Sequence, residues 1–331
     1  MRRLALNLLT VSGTAVLLVL LTLPALRATT QRVAAVVPPD GRLFGVYVDP
    51  WHIDGWTERV GARPNLVAKF EAFSRRRSAD KFLRRLERDG VMRAMVSWEP
   101  WKPVPARLGA RRQAQAQPGY TNAAIAAGAQ DAYIAQFARS LARFDGVVYL
   151  RYAHEMNGFW YPWSADARAY VRAWRHVVRI VRAQGRGNVR FVWSVNPNLY
   201  ETRRVWLHGV RRYWPGARYV DLVGSTMIDF GGAKDYTVDR FEPRLIALHR
   251  AFRRPLLLTE VNTQHAGRVR WLRDLRSLLQ RRPFVRGLAW SQLPSRGQAQ
   301  RGGLVGDVSW DVTDDGAAAA VLREIALDDS R

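Results

Sequence analysis

Eight short apolar runs recur along this chain, at residues 43–48, 66–73, 91–96, 147–150, 189–195, 219–224, 255–259 and 285–291. Amphipathic stretches at helical spacing, residues 79–88, 131–143, 165–183, 241–252 and 269–280, fall between them. Runs that are apolar at successive positions suit parallel strands buried on both faces. Their alternation with helices argues for a parallel α/β fold. Polar and aromatic residues gather where the runs end, which is where a (β/α)8 barrel builds its site. An open doubly wound sheet is the alternative, but no glycine-rich fingerprint follows the first run. The expected architecture is therefore a (β/α)8 TIM barrel, and 331 residues hold one barrel of about 250 with some to spare.

The surplus lies at the N-terminus. After Met1-Arg2-Arg3 come 23 uncharged residues, 4–26. That is longer than a secretory h-region of about 7–15 residues and close to the roughly 20 a membrane span needs. Arg27 interrupts any small-x-small cleavage site. The reading is an uncleaved signal anchor over 1–27, a tether over 28–41, and a catalytic domain over 42–331. The barrel is expected outside the cytoplasm, held at the membrane and acting as a monomer. A cleaved signal peptide, giving a secreted protein, is the alternative.

Net charge is +24, and 48 of the 52 basic residues are arginine, spread in doublets along the whole length. Such a surface attracts polyanions, but no nucleic-acid-binding motif accompanies it, so no nucleic-acid partner is expected. Most of the arginines read as solvated helix faces, with an anionic polymer or membrane surface as the alternative. There is no cysteine, which excludes disulfides and thiolate metal sites.

The chemistry concentrates after the fourth run, in residues 150–163: Arg151, His154, Glu155 and Asn157, then Trp160, Tyr161, Pro162 and Trp163. A carboxylate, an imidazole and an amide beside indole faces suit a polyol, which offers C–H surfaces to rings and hydroxyls to polar groups. An ionised carboxylate in such an apolar setting is costly without a partner or a task. His154-Glu155 also starts like a zinc HExxH helix, but Gly158 stands where the second His is needed, so no metal is expected. After the seventh run, Glu260 is a second carboxylate delivered by an apolar strand. A barrel can aim the fourth and seventh strand ends across one cleft. Such a pair suits retaining glycoside hydrolysis at ~5–5.5 Å separation and inverting hydrolysis at ~6.5–9.5 Å.

The residues from Arg151 to Gly158, followed by Trp160-Tyr161-Pro162-Trp163, resemble the acid/base motif of glycoside hydrolase family 26, whose members include mannanases, mixed-linkage glucanases and some xylanases. The resemblance implies a retaining mechanism with Glu155 as acid/base, Glu260 as nucleophile and no cofactor. His154 and Arg151 are expected to support the nucleophile as donors. Trp160, Trp290, Glu99, Asn157, Asn196 and Trp101 are expected sugar contacts, with Trp290 as the platform beneath the cleaved sugar. One departure stands out: the family places a Tyr just after the sixth strand, where this chain has Ile228 and Phe230, leaving Tyr236 or Asp229 as substitutes. The expected partner is a β-linked polysaccharide, cleaved internally. A non-hydrolytic carbohydrate-binding barrel and a transglycosylase are the alternatives.

Overall fold

The strands close on themselves. In the computed structural model, which describes residues 41–105, 112, 114–229, 236–263, 267–292 and 311–328, eight parallel strands pair in sequence order and the last pairs with the first. They are β1 (Leu43–Tyr47), β2 (Leu66–Ala72), β3 (Arg93–Glu99), β4 (Val147–Tyr152), β5 (Val189–Val195), β6 (Leu222–Asp229), β7 (Leu256–Thr263) and β8 (Val285–Ser291). The expected barrel is borne out. The expected anchor and most of the tether lie outside the described residues. Among the described residues, no helix is long and apolar enough to cross a membrane.

Alternation along each strand builds two apolar layers. Leu43, Tyr47, Met95, Tyr149, Val192 and Leu257 fill the barrel interior, while Val46, Val96, Leu150, Trp193, Leu258 and Trp290 pack in the larger core that includes the helices. Gly224 on β6 is needed for space: a Cβ there would sit 2.7 Å from Ser194 Cβ and 2.8 Å from Thr259 Cγ2.

The surrounding helices are α1 (Ile53–Val60), α2 (Asp80–Arg88), α3 (Asn122–Ala126), α4 (Asp131–Ala142), α5 (Ala167–Gln184), α6 (Arg203–Arg211), α7 (Val238–Phe252), α8 (Arg268–Arg281) and α9 (Gly316–Leu327). Side-chain caps set several starts, which satisfies backbone donors that a helix leaves open. Thr121 caps α3, Asp166 caps α5, Thr202 caps α6 and Asp315 caps α9. Four of these helices, α1, α3, α6 and α9, escape the periodicity reading. Gly55 interrupts α1, yet Ile53, Trp56 and Val60 bury one face and Gly61 ends it at φ 76°. Four expected strands also end early: β3, β4, β6 and β7 run on to Glu99, Tyr152, Asp229 and Thr263. Their polar ends look like loop in sequence but keep strand pairing.

Candidate active site

β4 hands the chain to a turn of unusual backbone. Ala153 (φ 43°) and Glu155 (φ 52°) both occupy the left-handed region, which costs a residue with a side chain of order 1 kcal/mol or more. The Glu155 N–H donates to Ser194 O on β5 at 2.8 Å, fixing the turn against the neighbouring strand. Its side chain is thereby aimed at three donors. Oε1 accepts from Thr226 Oγ1 at 2.5 Å and from Asn196 Nδ2 at 3.1 Å, and Oε2 accepts from Trp160 Nε1 at 3.1 Å. Asn157 steadies this arrangement, donating to Asn196 O at 2.8 Å and accepting from Asn196 N at 2.9 Å.

β7 delivers the second carboxylate by an irregularity. Ser225 pairs with Leu258 and Thr226 with Glu260, so Thr259 is one residue more than β6 offers opposite it. The extra residue changes the alternation: Thr259 meets Ser194 Oγ at 2.8 Å, and Glu260 follows beside Thr226. Arg151 Nη1 lies 2.6 Å from Glu260 Oε1, with the arginine fully buried and the Glu260 side chain 13% exposed.

Arg151 also donates to Ser97 Oγ at 3.1 Å and, more loosely, to Thr226 Oγ1 at 3.5 Å. One hydroxyl and one guanidinium therefore connect the two carboxylates. Burial alone works against the arginine's charge, but Glu260 first, then Tyr47 and Glu155, outweigh it and raise its pKa above that of free arginine. Arg151 is a cation at every working pH. Beneath it, Tyr47 shares a hydrogen bond with Ser97 Oγ at 3.0 Å, and burial pushes its phenol far above its ordinary range. Among the described residues, no cluster of three or more His, Cys, Asp or Glu could hold a metal ion.

The sequence model described as Glycosyl hydrolase family 26 matches residues 121–264, a span containing both glutamates and their described partners Asn196 and Thr226. Over those residues the chain is similar to that family. Endoglucanase H from Acetivibrio thermocellus is 27% identical over 194 residues, covering 54% of this chain and 19% of that protein. Mannan endo-1,4-beta-mannosidase A and B from Caldalkalibacillus mannanilyticus is 31% identical over 118 residues, 33% of this chain and 21% of that protein. The chain thus spans only about a fifth of the length of either relative. Among solved structures, a GH26 beta-mannanase from Bacteroides ovatus superposes with TM-score 0.56 at 16% identity, over 89% of this chain and 90% of that one. Fungal beta-1,4-galactanases reach TM-score 0.61 at 12% identity, over 86% and 100%. At such identities these likenesses concern the fold.

The structure gathers Glu155, Glu260, Arg151, Trp160, Asn157 and Asn196 into one connected group. His154, expected to support the nucleophile, has Tyr161 OH at 3.2 Å and Glu99 Oε1 at 4.0 Å from its Nε2. Arg151 is the donor whose contact with Glu260 is described. Trp290, expected as a sugar platform, is fully buried in the larger core, because alternation along β8 turns Ala289 rather than Trp290 into the barrel. Trp101 is 4% exposed, its Nε1 donating to Glu99 Oε2 at 3.1 Å and its ring set edge-on to Tyr161 and Trp163. It orders Glu99, itself 8% exposed, rather than offering a face to a sugar.

Thr226, the residue that joins the two carboxylates, is absent from the expected set, as are Tyr47, Ser97 and Ser194. The expected sixth strand stops at Gly224, which leaves Thr226 in a loop. The available signal was small hydroxyl residues inside otherwise apolar strands. Of the two candidates for the missing tyrosine, Asp229 accepts from Thr263 Oγ1 at 3.4 Å, and Tyr236 packs edge-on against Tyr200 with ring centroids 6.0 Å apart.

Proposed function

We propose that this chain is a retaining glycoside hydrolase that cleaves a β-linked polysaccharide internally, with Glu155 as acid/base and Glu260 as nucleophile. The observation that carries the reading is the linked pair: one carboxylate in the turn after β4 and one on β7, connected through Thr226 and Arg151. The retaining choice follows the likeness to family 26, and it requires a carboxylate separation of about 5–5.5 Å. The endoglucanase and endo-mannosidase names of the curated relatives favour internal cleavage of β-glucan or β-mannan.

In the first step Glu260 attacks the anomeric carbon while Glu155 gives its proton to the departing glycosidic oxygen. The C–O bond to the leaving sugar breaks as the bond to Glu260 forms. In the second step water attacks the same carbon, Glu155 takes the water's proton, and Glu260 leaves as a carboxylate. Arg151 supplies the counter-charge that Glu260 requires before the first step and after the second. Trp160 and Asn196 orient Glu155, and the half-buried Trp160 ring lies where a sugar bound to that carboxylate would touch it.

The uncharged segment 4–26 further suggests attachment to a membrane with the barrel outside the cytoplasm. Carbonate washing of membranes checks this: retention of the full chain supports an anchor, and quantitative release removes it.

The decisive experiment measures product release from β-mannan, mixed-linkage glucan, xylan and acidic exopolysaccharide, with Glu260→Ala alongside. The expected outcome is cleavage of one polymer, abolished in the variant on both natural and activated aryl substrates. Binding without cleavage by the wild type would replace the hydrolase reading with a carbohydrate-binding barrel. Longer products from mixed oligosaccharides would turn it toward glycosyl transfer.

A further inference from the structure

A concavity lies on the outer wall, and neither glutamate lines it. Its volume is about 390 Å³, and its lining includes Arg172, Arg175 and Arg179 of α5, Ala123 and Ala126 of α3, and Tyr219. The three arginines follow helical spacing of three and four residues, so they form one stripe about 10 Å long. Alanine methyl groups from the short helix opposite leave the groove open to that stripe. No acidic side chain is among its described lining.

What these arginines already do is limited. Arg175 Nε donates to Pro215 O at 2.8 Å, and its guanidinium lies 5.4 Å from the centre of the Tyr219 ring. Arg179 makes a long contact of 3.4 Å to Arg175 O and another of 3.3 Å to His176 Nδ1. Arg172 feels Asp166 only through space. None of the three has a carboxylate in a described ion pair, unlike Arg143, Arg186 and Arg276 elsewhere on the surface. The nearby carboxylate Asp131 is committed to His176 at 2.7 Å.

We infer that this groove is an accessory binding site for an acidic glycan, gripping uronate carboxylates with Arg172, Arg175 and Arg179. Planar guanidinium groups match carboxylates in a two-pronged geometry that a lysine cannot supply. The surroundings select against other polyanions. Tyr219 is 9% exposed and already sits against Arg175 and Arg218, so nucleobases find no free ring to stack on. No large exposed apolar side chain lines the groove, so nothing there would enter a bilayer. The inference rests on the polysaccharide reading above, but not on the two glutamates.

The test is equilibrium binding of the full chain to polygalacturonate, to its methyl-esterified neutral form, to a single-stranded DNA oligonucleotide and to vesicles of phosphatidylcholine and phosphatidylserine. Arg172→Gln/Arg179→Gln is compared with Arg203→Gln/Arg204→Gln, a control doublet on α6; both leave the Arg175–Pro215 contact intact. The groove variant should weaken polygalacturonate binding about tenfold or more, from two lost charge-assisted contacts. Neutral polymer should bind more weakly than the charged form, and the control variant should behave as wild type. Glu260→Ala should retain polygalacturonate binding while losing hydrolysis, which separates failure of this site from failure of the catalytic reading. Equal weakening in both arginine variants would reduce the effect to diffuse positive charge and overturn the proposal. So would a groove-dependent preference for DNA or vesicles over polygalacturonate.

Discussion

At the end of β4, the Glu155 carboxylate is held by three uncharged donors, Thr226, Asn196 and Trp160. On β7, the partner described for Glu260 is the buried Arg151 cation. Neutral donors hold a carboxylate less strongly as an anion than a buried cation does. A buried cation demands an anion opposite it, since removing either member strands a charge in low dielectric. The same side chain is thus prepared for two tasks: proton exchange at β4 and attack as an anion at β7. The backbone differs as well, because Glu155 is aimed by a left-handed turn and Glu260 by an extra residue in a strand.

The sharpest way to break this contrast is Glu155→Gln. Loss of the proton donor should lower turnover of natural glycan by about 10²–10⁴, the usual worth of a general acid. An activated aryl glycoside needs no protonation to leave, so its first-step burst should survive while release of the glycosyl-enzyme slows. A rapid-quench measurement showing no burst would remove the assigned asymmetry. Next comes Arg151→Met, which strands Glu260. A destabilisation of about 3–5 kcal/mol is expected from the broken buried pair, read by denaturant unfolding. Activity in the folded fraction should fall about 10²-fold through misplacement of Glu260. Arg151→Lys keeps the charge but not the fork, so it should recover stability more than turnover. Equal recovery of both would mean that Arg151 acts on folding alone.

Thr226→Val is a smaller probe of the connection between the two sides. The replacement preserves shape and removes one donor from Glu155, while Asn196 and Trp160 remain. A loss of about 0.5–1.5 kcal/mol, or several-fold in kcat/KM, is expected on natural glycan. The aryl glycoside burst should change less. A larger effect on the burst than on natural glycan would place Thr226 with Glu260 rather than Glu155.

The two sides of the site were unequally legible in the sequence. The Glu155 side stands in one continuous motif, so Asn157 and Trp160 could be read along with it. Glu260 was readable as the polar end of an apolar strand. Their connection was not, because Thr226 and Arg151 meet only after β4, β6 and β7 close into one barrel. Trp290 failed for a related reason. Its place near a strand end is a matter of sequence, but the face it occupies is set by register along β8, which turns it toward the larger core. Amphipathic helices were legible where they are long; α1 and α3 are short and are defined by caps and burial instead.

Acid offers the mildest test, since it separates the site from the wall that carries it. Asp328 on the wall is held below the usual carboxylate range, first by its hydrogen bonds from Arg276, and further by Gln280. Its partner Arg276 Nε lies 2.6 Å away. A folded pKa below the unfolded value of about 3.9 means the stabilisation is present above that pH. It is lost as pH falls through the folded value. Asp328→Asn removes the contribution at neutral pH, lowering Tm by about 2 °C, the scale expected for a partly exposed ion pair. The gap between variant and wild type should then close as pH drops from 6 toward 2.5. Thermal unfolding across that range provides the reading, with kcat/KM measured on the same samples. A gap independent of pH would mean that Asp328 contributes packing rather than charge. Closure of the gap without a matching change in kcat/KM would show that acid weakens the wall separately from the two glutamates.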